Sequence, residues 1–425
     1  MTAGKPSRLV PKLRFAEFID QPPWKCAPLK KLAMRITKRN TEGYELKVLT
    51  NSAERGVVDQ REYFDKDIAT NIGNYYIVER GDYVYNPRVS SAAPVGPISK
   101  NKVGVGVMSP LYTVFRFRRD ANEFFAHYFR SPHWHGYLRR VSNSGARHDR
   151  MAITNDDLMQ MPIPVPSPRE QQRIADCLGS LDDLIAAENG KLEALRHYKH
   201  GLIQQLFPQE GETVPRLRFP EFHGAEDWRQ HKFGDFVVKS FYGTSAATSE
   251  TGQYPVLRMG NMGDGGLEFS NLAYIDLDPE EFESFRLKKG DILLNRTNSR
   301  DLVGKVSIFD RDSECITASY IVSFRLDETR LDPGFCNLLL NTQMLQSRIK
   351  LLATPSISQA NINPATFRTG LDIVIPKLAE QQRIAECLSS LNDVLSAQSR
   401  KTEGLKTHQK GLLQQLFPSP EEESR

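Results

Sequence analysis

Two stretches of the 425-residue chain are nearly the same. Residues 166–208 and 376–418 align without gaps and share 23 of 43 positions, carrying EQQRIADCL and EQQRIAECL from their fifth residue and closing on GLIQQLFP and GLLQQLFP. A weaker echo stands before each copy: PKLRFAEF at 11–18 followed by Trp24, and PRLRFPEF at 215–222 followed by Trp228, both at an offset of 204. Self-similarity on this scale constrains architecture before any local reading does, because each repeat must build the same unit. That unit is a short opening motif, a long variable lobe and a shared segment.

Within the shared segment the apolar residues are spaced alternately four and three apart. The first copy reads Ile174, Leu178, Leu181, Ile185, Leu192, Leu195, Leu202 and Leu206, with Glu188 and Lys199 at the two polar seam positions. The second reads Ile384, Leu388, Leu391, Leu395, Leu405, Leu412 and Leu416, with Gln398, Thr402 and Gln409 on the same rhythm. A heptad seam predicts one long helix per copy, each burying a narrow stripe; the polar residues Glu188 and Gln398 would set register. Some 37 residues at about 1.5 Å each make a rod of about 55 Å. Ser167-Pro168-Arg169-Glu170 reads as a capping box with proline at the first helical position, whereas Lys377 replaces that serine in the second copy. Phe207-Pro208 and Phe417-Pro418 forbid continuation. A whole lobe separates the helices, so the chain must travel out and back, which predicts an antiparallel pair with a lobe at each end.

The expected division is a first lobe at 1–165, a central helix at 166–208, a second lobe at 209–375, a C-terminal helix at 376–418 and a tail at 419–425. Both lobes read as mixed α/β, giving an α+β chain with a pseudo-two-fold internal repeat. Each has a Gly-Asp turn feeding an alternating strand (ERGDYVYN, KGDILLN), then a polar loop, more strand, helical sequence, a second polar loop and a Pro-bounded apolar strand (MPIPVP, LDIVIP). The order of parts is shared and the loops are not. Divergent loops on a common frame carry specificity, and Arg, Asn, Gln and Ser are the side chains that reach base edges and phosphates. The candidate DNA contacts in the first lobe are Asn86, Arg88, Ser90, Ser91, Ser142, Asn143, Arg147, His148 and Arg150. In the second they are Arg296, Asn298, Ser299, Arg300, Lys305, Ser356, Ser358, Gln359 and Asn361.

Charge supports this reading unevenly. The chain totals +4, but residues 1–165 carry +10 and residues 209–375 carry −5. A strongly basic lobe suits a polyanion. Phe124, Phe125, Tyr128 and Phe129 at helical spacing read as core, and the His133-x-His135 pair lacks a third metal ligand. No GxxxxGK[ST] loop is present, Tyr85-Asn86-Pro87-Arg88 stops short of a methyltransferase motif, and the chain contains no Pro-Asp dipeptide to begin a nuclease core. The expectation is therefore no catalytic residue, cofactor or metal in this chain. Five cysteines without CxxC spacing indicate neither a disulfide framework nor zinc, and no signal peptide or membrane span is read, so the chain is expected in the cytoplasm.

The paired EQQRIA-(D/E)-C-L segments, the closing QQLFP, the Trp-containing openings and the Gly-Asp strand before each loop resemble the specificity subunit of type I restriction-modification systems, over nearly the whole chain. The resemblance implies two target-recognition domains that read a bipartite double-stranded DNA site. It also implies assembly with two methyltransferase subunits and, in the restricting complex, two motor/nuclease subunits. S-adenosylmethionine, ATP and Mg²⁺ would then belong to those partners, and the helices would act as a ruler between half-sites. Two other readings stay open at this point: a non-catalytic coiled-coil adaptor, and a self-sufficient DNA methyltransferase with degenerate motifs.

Overall fold

The repeated segments form two continuous α-helices, Pro168–Leu206 and Leu378–Gln415. The computed structural model describes residues 9–44, 46–65, 72–119, 123–142, 149–263, 265–299, 302–355 and 359–420. It divides into two units, residues 1–190 with 400–425 and residues 191–399, so each unit holds the beginning of one long helix and the end of the other. Both helices are rich in Leu, Ala, Gln and Glu with no internal proline, a composition that favours uninterrupted helix.

The helix starts differ from the expected capping box. Ser167 Oγ does accept the Glu170 N–H at 3.3 Å, but the Glu170 side chain is engaged elsewhere, by Trp24 and Arg14. In its place Gln171 Nε2 donates to the Pro166 carbonyl at 3.1 Å, and Gln381 repeats this toward Pro376 at 2.9 Å. The second helix, without the serine, begins on the Lys377 carbonyl, which accepts the Glu380 N–H at 3.0 Å.

All the seam positions are buried or half-buried. Inside the first unit the helices run antiparallel: Gln409 donates to Asp182 at 2.8 Å, and Lys401 reaches Glu188 at 2.6 Å, so advancing along one helix is retreating along the other. Near their ends the seams are lobe core as much as helix contact. Ile174 and Leu178 join Leu413, Leu416 and Phe417 around Trp24, Phe124 and Tyr128. In the second unit Leu206 and Phe207 join Ile384 and Leu388 around Trp228 and Phe335.

The lobe frames match strand for strand. A four-stranded antiparallel sheet runs Ala33–Arg35, Thr113–Phe117, Tyr83–Tyr85, Ile98–Lys100 in the first unit, and Val237–Tyr242, Ile321–Leu326, Ile292–Asn295, Val306–Ile308 in the second. The Pro-bounded strands Pro162–Val165 and Asp372–Ile375 pair with Lys25–Pro28 and Arg229–Lys232, seating each lobe immediately before its helix. Short helices follow the sheets, Phe124–Arg130 and His135–Val141, then Pro333–Leu340 and Gln343–Leu351; Phe124, Phe125, Tyr128 and Phe129 are buried.

The Gly-Asp dipeptides have a structural cause. Gly81 (φ 98°) and Gly290 (φ 94°) occupy the left-handed region a side chain resists. The following Asp82 and Asp291 each accept a turn N–H, from Glu79 at 2.8 Å and Lys288 at 2.7 Å. Each also holds an arginine of the neighbouring strand, Arg116 at 2.6 Å and Arg325 at 2.7 Å. A buried carboxylate with donors on both sides is satisfied where a lone one would be costly.

Candidate nucleic-acid interface

In each lobe the central strand of the sheet delivers the first polar loop, and backbone pairing brings the second polar loop beside it. In the first lobe Val89 N–H donates to Asp149 O at 3.0 Å and Met151 N–H to Pro87 O at 2.9 Å, setting Arg88 opposite Arg150. In the second lobe Thr297–Asn298 pairs with Ala360–Ile362, and Ile362 N–H donates to Arg296 O at 2.8 Å. Segments some sixty residues apart in sequence thus share one platform at the same end of each sheet.

The side chains on the two platforms differ. Arg88, with 68 % of its side chain exposed, and Arg150 flank Asp149 at 4.0 and 3.9 Å. Ser91 is exposed, Ser142 is half-buried, and Ser90 Oγ accepts the Ala93 N–H at 3.1 Å. Asn86 corrects an expectation, because its Nδ2 donates to Asn51 O at 2.9 Å and its Oδ1 accepts the Arg88 N–H at 3.0 Å. It therefore shapes the loop from within and leaves little to offer a ligand. Asn143, Arg147 and His148 lie outside the described residues.

On the second platform the Arg296 guanidinium lies 5.3 Å from the ring centroid of Tyr242, and its backbone N–H donates to Tyr320 O at 3.0 Å. Asn298 Oδ1 accepts the Ser299 N–H at 2.8 Å, Gln359 and Asn361 are exposed, and Lys305 is half-buried. Arg300, Ser356 and Ser358 lie outside the described residues. The expected second loop is here a hairpin, Ala353–Pro355 with Ala360–Ile362, because Ile362 has an apolar seat to fill.

Two aromatic residues of this platform escaped sequence reading. Tyr242 and Tyr320 are 47 % and 42 % exposed, and both adjoin Arg296, the first through its ring and the second through its backbone carbonyl. Tyr320 is hidden in CITASYIVSFRL, which reads as one strand. In the structure the chain leaves Ile316–Thr317, which pairs with Tyr254–Leu257, and turns before Ile321–Leu326. Exposed aromatic faces beside a cation suit stacking on bases or packing on sugars.

His135 is pushed down to about 4 by burial, and His133 Nε2 sits 3.1 Å from Gln414 O. Among the described residues no group of three or more His, Cys, Asp or Glu is placed to hold an ion.

A family model for the type I restriction modification DNA specificity domain matches residues 27–197 and again residues 225–407. The chain belongs to that family. Of this type I specificity chain, each match spans one lobe and most of the long helix that follows it. It is 27 % identical over 195 residues, 45 % of its own length, to the putative type I restriction enzyme MjaX specificity subunit of Methanocaldococcus jannaschii. It is 21 % identical over 306 residues, 67 % of its length, to the EcoKI specificity subunit of Escherichia coli. The matched stretches cover 46 % and 60 % of those two relatives. The type I specificity fold is also seen in a solved type I R-M assembly (TM-score 0.56, 17 % identity, 93 % of this chain and 97 % of that one). The type I S subunit of M. genitalium is similar too (TM-score 0.55, 11 % identity, 96 % and 99 %). Two mixed α/β lobes in an internal repeat with two long helices are thus the family's fold.

Proposed function

We propose that this chain is the DNA-reading component of a type I restriction-modification complex, each lobe reading one part of a bipartite target. The observation that carries the reading is the pair of platforms: the same backbone pairing joins the same two loops in each lobe, while the side chains presented differ. Two different half-sites follow from two different platforms on one frame. The chain itself is non-catalytic in this reading. It positions two methyltransferase subunits and, for restriction, two motor/nuclease subunits, which bring S-adenosylmethionine, ATP and Mg²⁺. The two long helices connect the readers, so their residue number sets the length of the unread spacer. Its ligand being cellular DNA, the place of action is the cytoplasm; no described helix is long and apolar enough to cross a membrane.

The test is to express the chain with its methyltransferase partner in a host lacking both and to sequence the methylated genome. A bipartite modified motif that depends on this chain is expected, and exchanging residues 209–375 for another family member's second lobe should change one half alone. No chain-dependent motif, or an undivided one, would overturn the reading.

A further inference from the structure

The duplicated frame allows the lobes to be compared position by position, and at one place the charge reverses. Arg118 N–H donates to Leu32 O at 2.9 Å, and its counterpart Asp327 N–H donates to Phe236 O at 2.8 Å. Leu29 N–H donates to Met161 O at 2.8 Å, and Phe233 N–H to Leu371 O at 2.9 Å. These bonds make Lys30, Lys31, Arg118 and Arg119 the equivalents of Gly234, Asp235, Asp327 and Glu328.

The pairing of Ala33–Arg35 with Thr113–Phe117 gathers the four cations of the first lobe at one end of the sheet. That end is not the reading end. Thr113 stands opposite Tyr85, where the Arg88 loop begins, whereas Arg118 and Arg119 leave from the other end of the same strand. All four are exposed. Among the described residues none has a carboxylate within ion-pair distance, although Lys100, Lys102, Arg116 and Arg130 of the same lobe are all paired. In the second lobe Asp235 and Glu328 are exposed and Asp327 is half-buried; one nearby cation, Arg330, donates to the Asp235 carbonyl at 2.9 Å.

We infer that Lys30, Lys31, Arg118 and Arg119 form a second, sequence-independent contact for duplex DNA, a phosphate-binding surface that the first lobe has and the second lacks. The inference rests on the DNA-reading function proposed above. Exposed cations without a carboxylate partner among the described residues carry a positive potential, which a phosphate backbone satisfies with release of counterions. The surface cannot serve a partner that meets both lobes identically, because the second lobe presents the opposite sign. It is also separate from the base-reading platform, so it adds affinity without selecting sequence. The first lobe would anchor on the duplex, and the second would depend on its platform.

The experiment measures binding of the full chain to a fluorescent duplex lacking the target, across a salt series. One variant places the second lobe's residues on the first, Lys31→Asp with Arg118→Asp and Arg119→Glu; the reciprocal variant carries Asp235→Lys, Asp327→Arg and Glu328→Arg. Three lost phosphate contacts, at about 0.9 each, lower the slope of log K against log salt by about 2.7, so the affinity lost between 50 and 200 mM salt shrinks about fortyfold; the reciprocal variant steepens the slope. An unchanged slope in a first variant with wild-type circular dichroism and melting overturns the inference. So does an unchanged slope accompanied by lost self-association, which would make the surface a contact between copies. Failure of the wild-type chain to bind any duplex defeats the DNA-reading function itself, an outcome distinct from both.

Discussion

Trp24 donates its indole N–H to the Glu170 carboxylate at 3.0 Å, and Trp228 does the same to Glu380 at 3.3 Å. Arg14 and Arg218 close on the same carboxylates with two hydrogen bonds each. The first glutamate of each EQQR is thus the socket into which the opening motif of its lobe plugs. The arginine of EQQR repeats the theme, with Arg173 on Glu17 and over Phe15, and Arg383 on Glu221 and over Phe219. The motif is kept because it fastens lobe to helix.

Glu170→Ala is expected to lower stability by about 3–5 kcal/mol, since it takes the carboxylate from the Trp24 indole and from an Arg14 side chain only 7 % exposed, leaving that cation the Gln21 and Pro22 carbonyls. Urea unfolding followed by tryptophan fluorescence measures this; a loss below about 1 kcal/mol would show that Arg14 escapes to solvent. Glu380→Ala should act alike through Arg218.

Leu178→Ala and Leu388→Ala remove fully buried side chains that belong to the lobe cores as well as to the helices. Each should cost about 2–5 kcal/mol. Matching Leu184→Ala, at a position 42 % exposed, should stay within about 0.5 kcal/mol. Equal effects at Leu178 and Leu184 would refute the stated burial.

His127 is buried beside Arg130, Asp182, Glu123 and Lys102, and burial first, then Arg130, push its pKa down to about 4. In the unfolded chain it takes up a proton near 6.5, in the folded chain only near 4. Its contribution is therefore whole above pH 6.5 and falls away as pH drops toward 4, by up to about 3 kcal/mol. His135 adds to the same window. His127→Phe should flatten the fall in melting temperature between pH 6.5 and 4; an unchanged pH profile would show that His127 is not the group responsible.

Arg296→Ala should weaken binding to the target by about 1–3 kcal/mol and relax selectivity in the half-site read by the second lobe alone. Arg88→Ala should do so in the other half. Selection from a randomised duplex library reads both, and a relaxed position in the wrong half would reassign the platforms.

The architecture was legible because its signals are periodic or repeated: the heptad seam, the 204-residue echo and the matching order of strands need no knowledge of the partners. The socket was not. Arg14, Trp24 and Glu170 were each visible as repeated residues, but their meeting joins positions 156 and 146 apart, which no local pattern encodes. Candidate contacts were legible only as residue types. Asn86 and Arg88 look alike as loop polar residues, yet one faces Asn51 and the other solvent. Tyr320 was concealed by apolar neighbours that continue its strand pattern across a turn.

The ends of the long helices fix an order of assembly. Leu413, Leu416 and Phe417 complete the core around Phe124 and Tyr128, and Gln409 meets Arg130 from 279 residues further along. On the ribosome the first lobe therefore emerges early and waits, its apolar seat open, until the last helix has been made. The second lobe already has Leu206 and Phe207 in hand before its own synthesis starts. Translation that stops before Leu413 would leave the earlier-made lobe unfinished and the later-made lobe with its apolar seat filled.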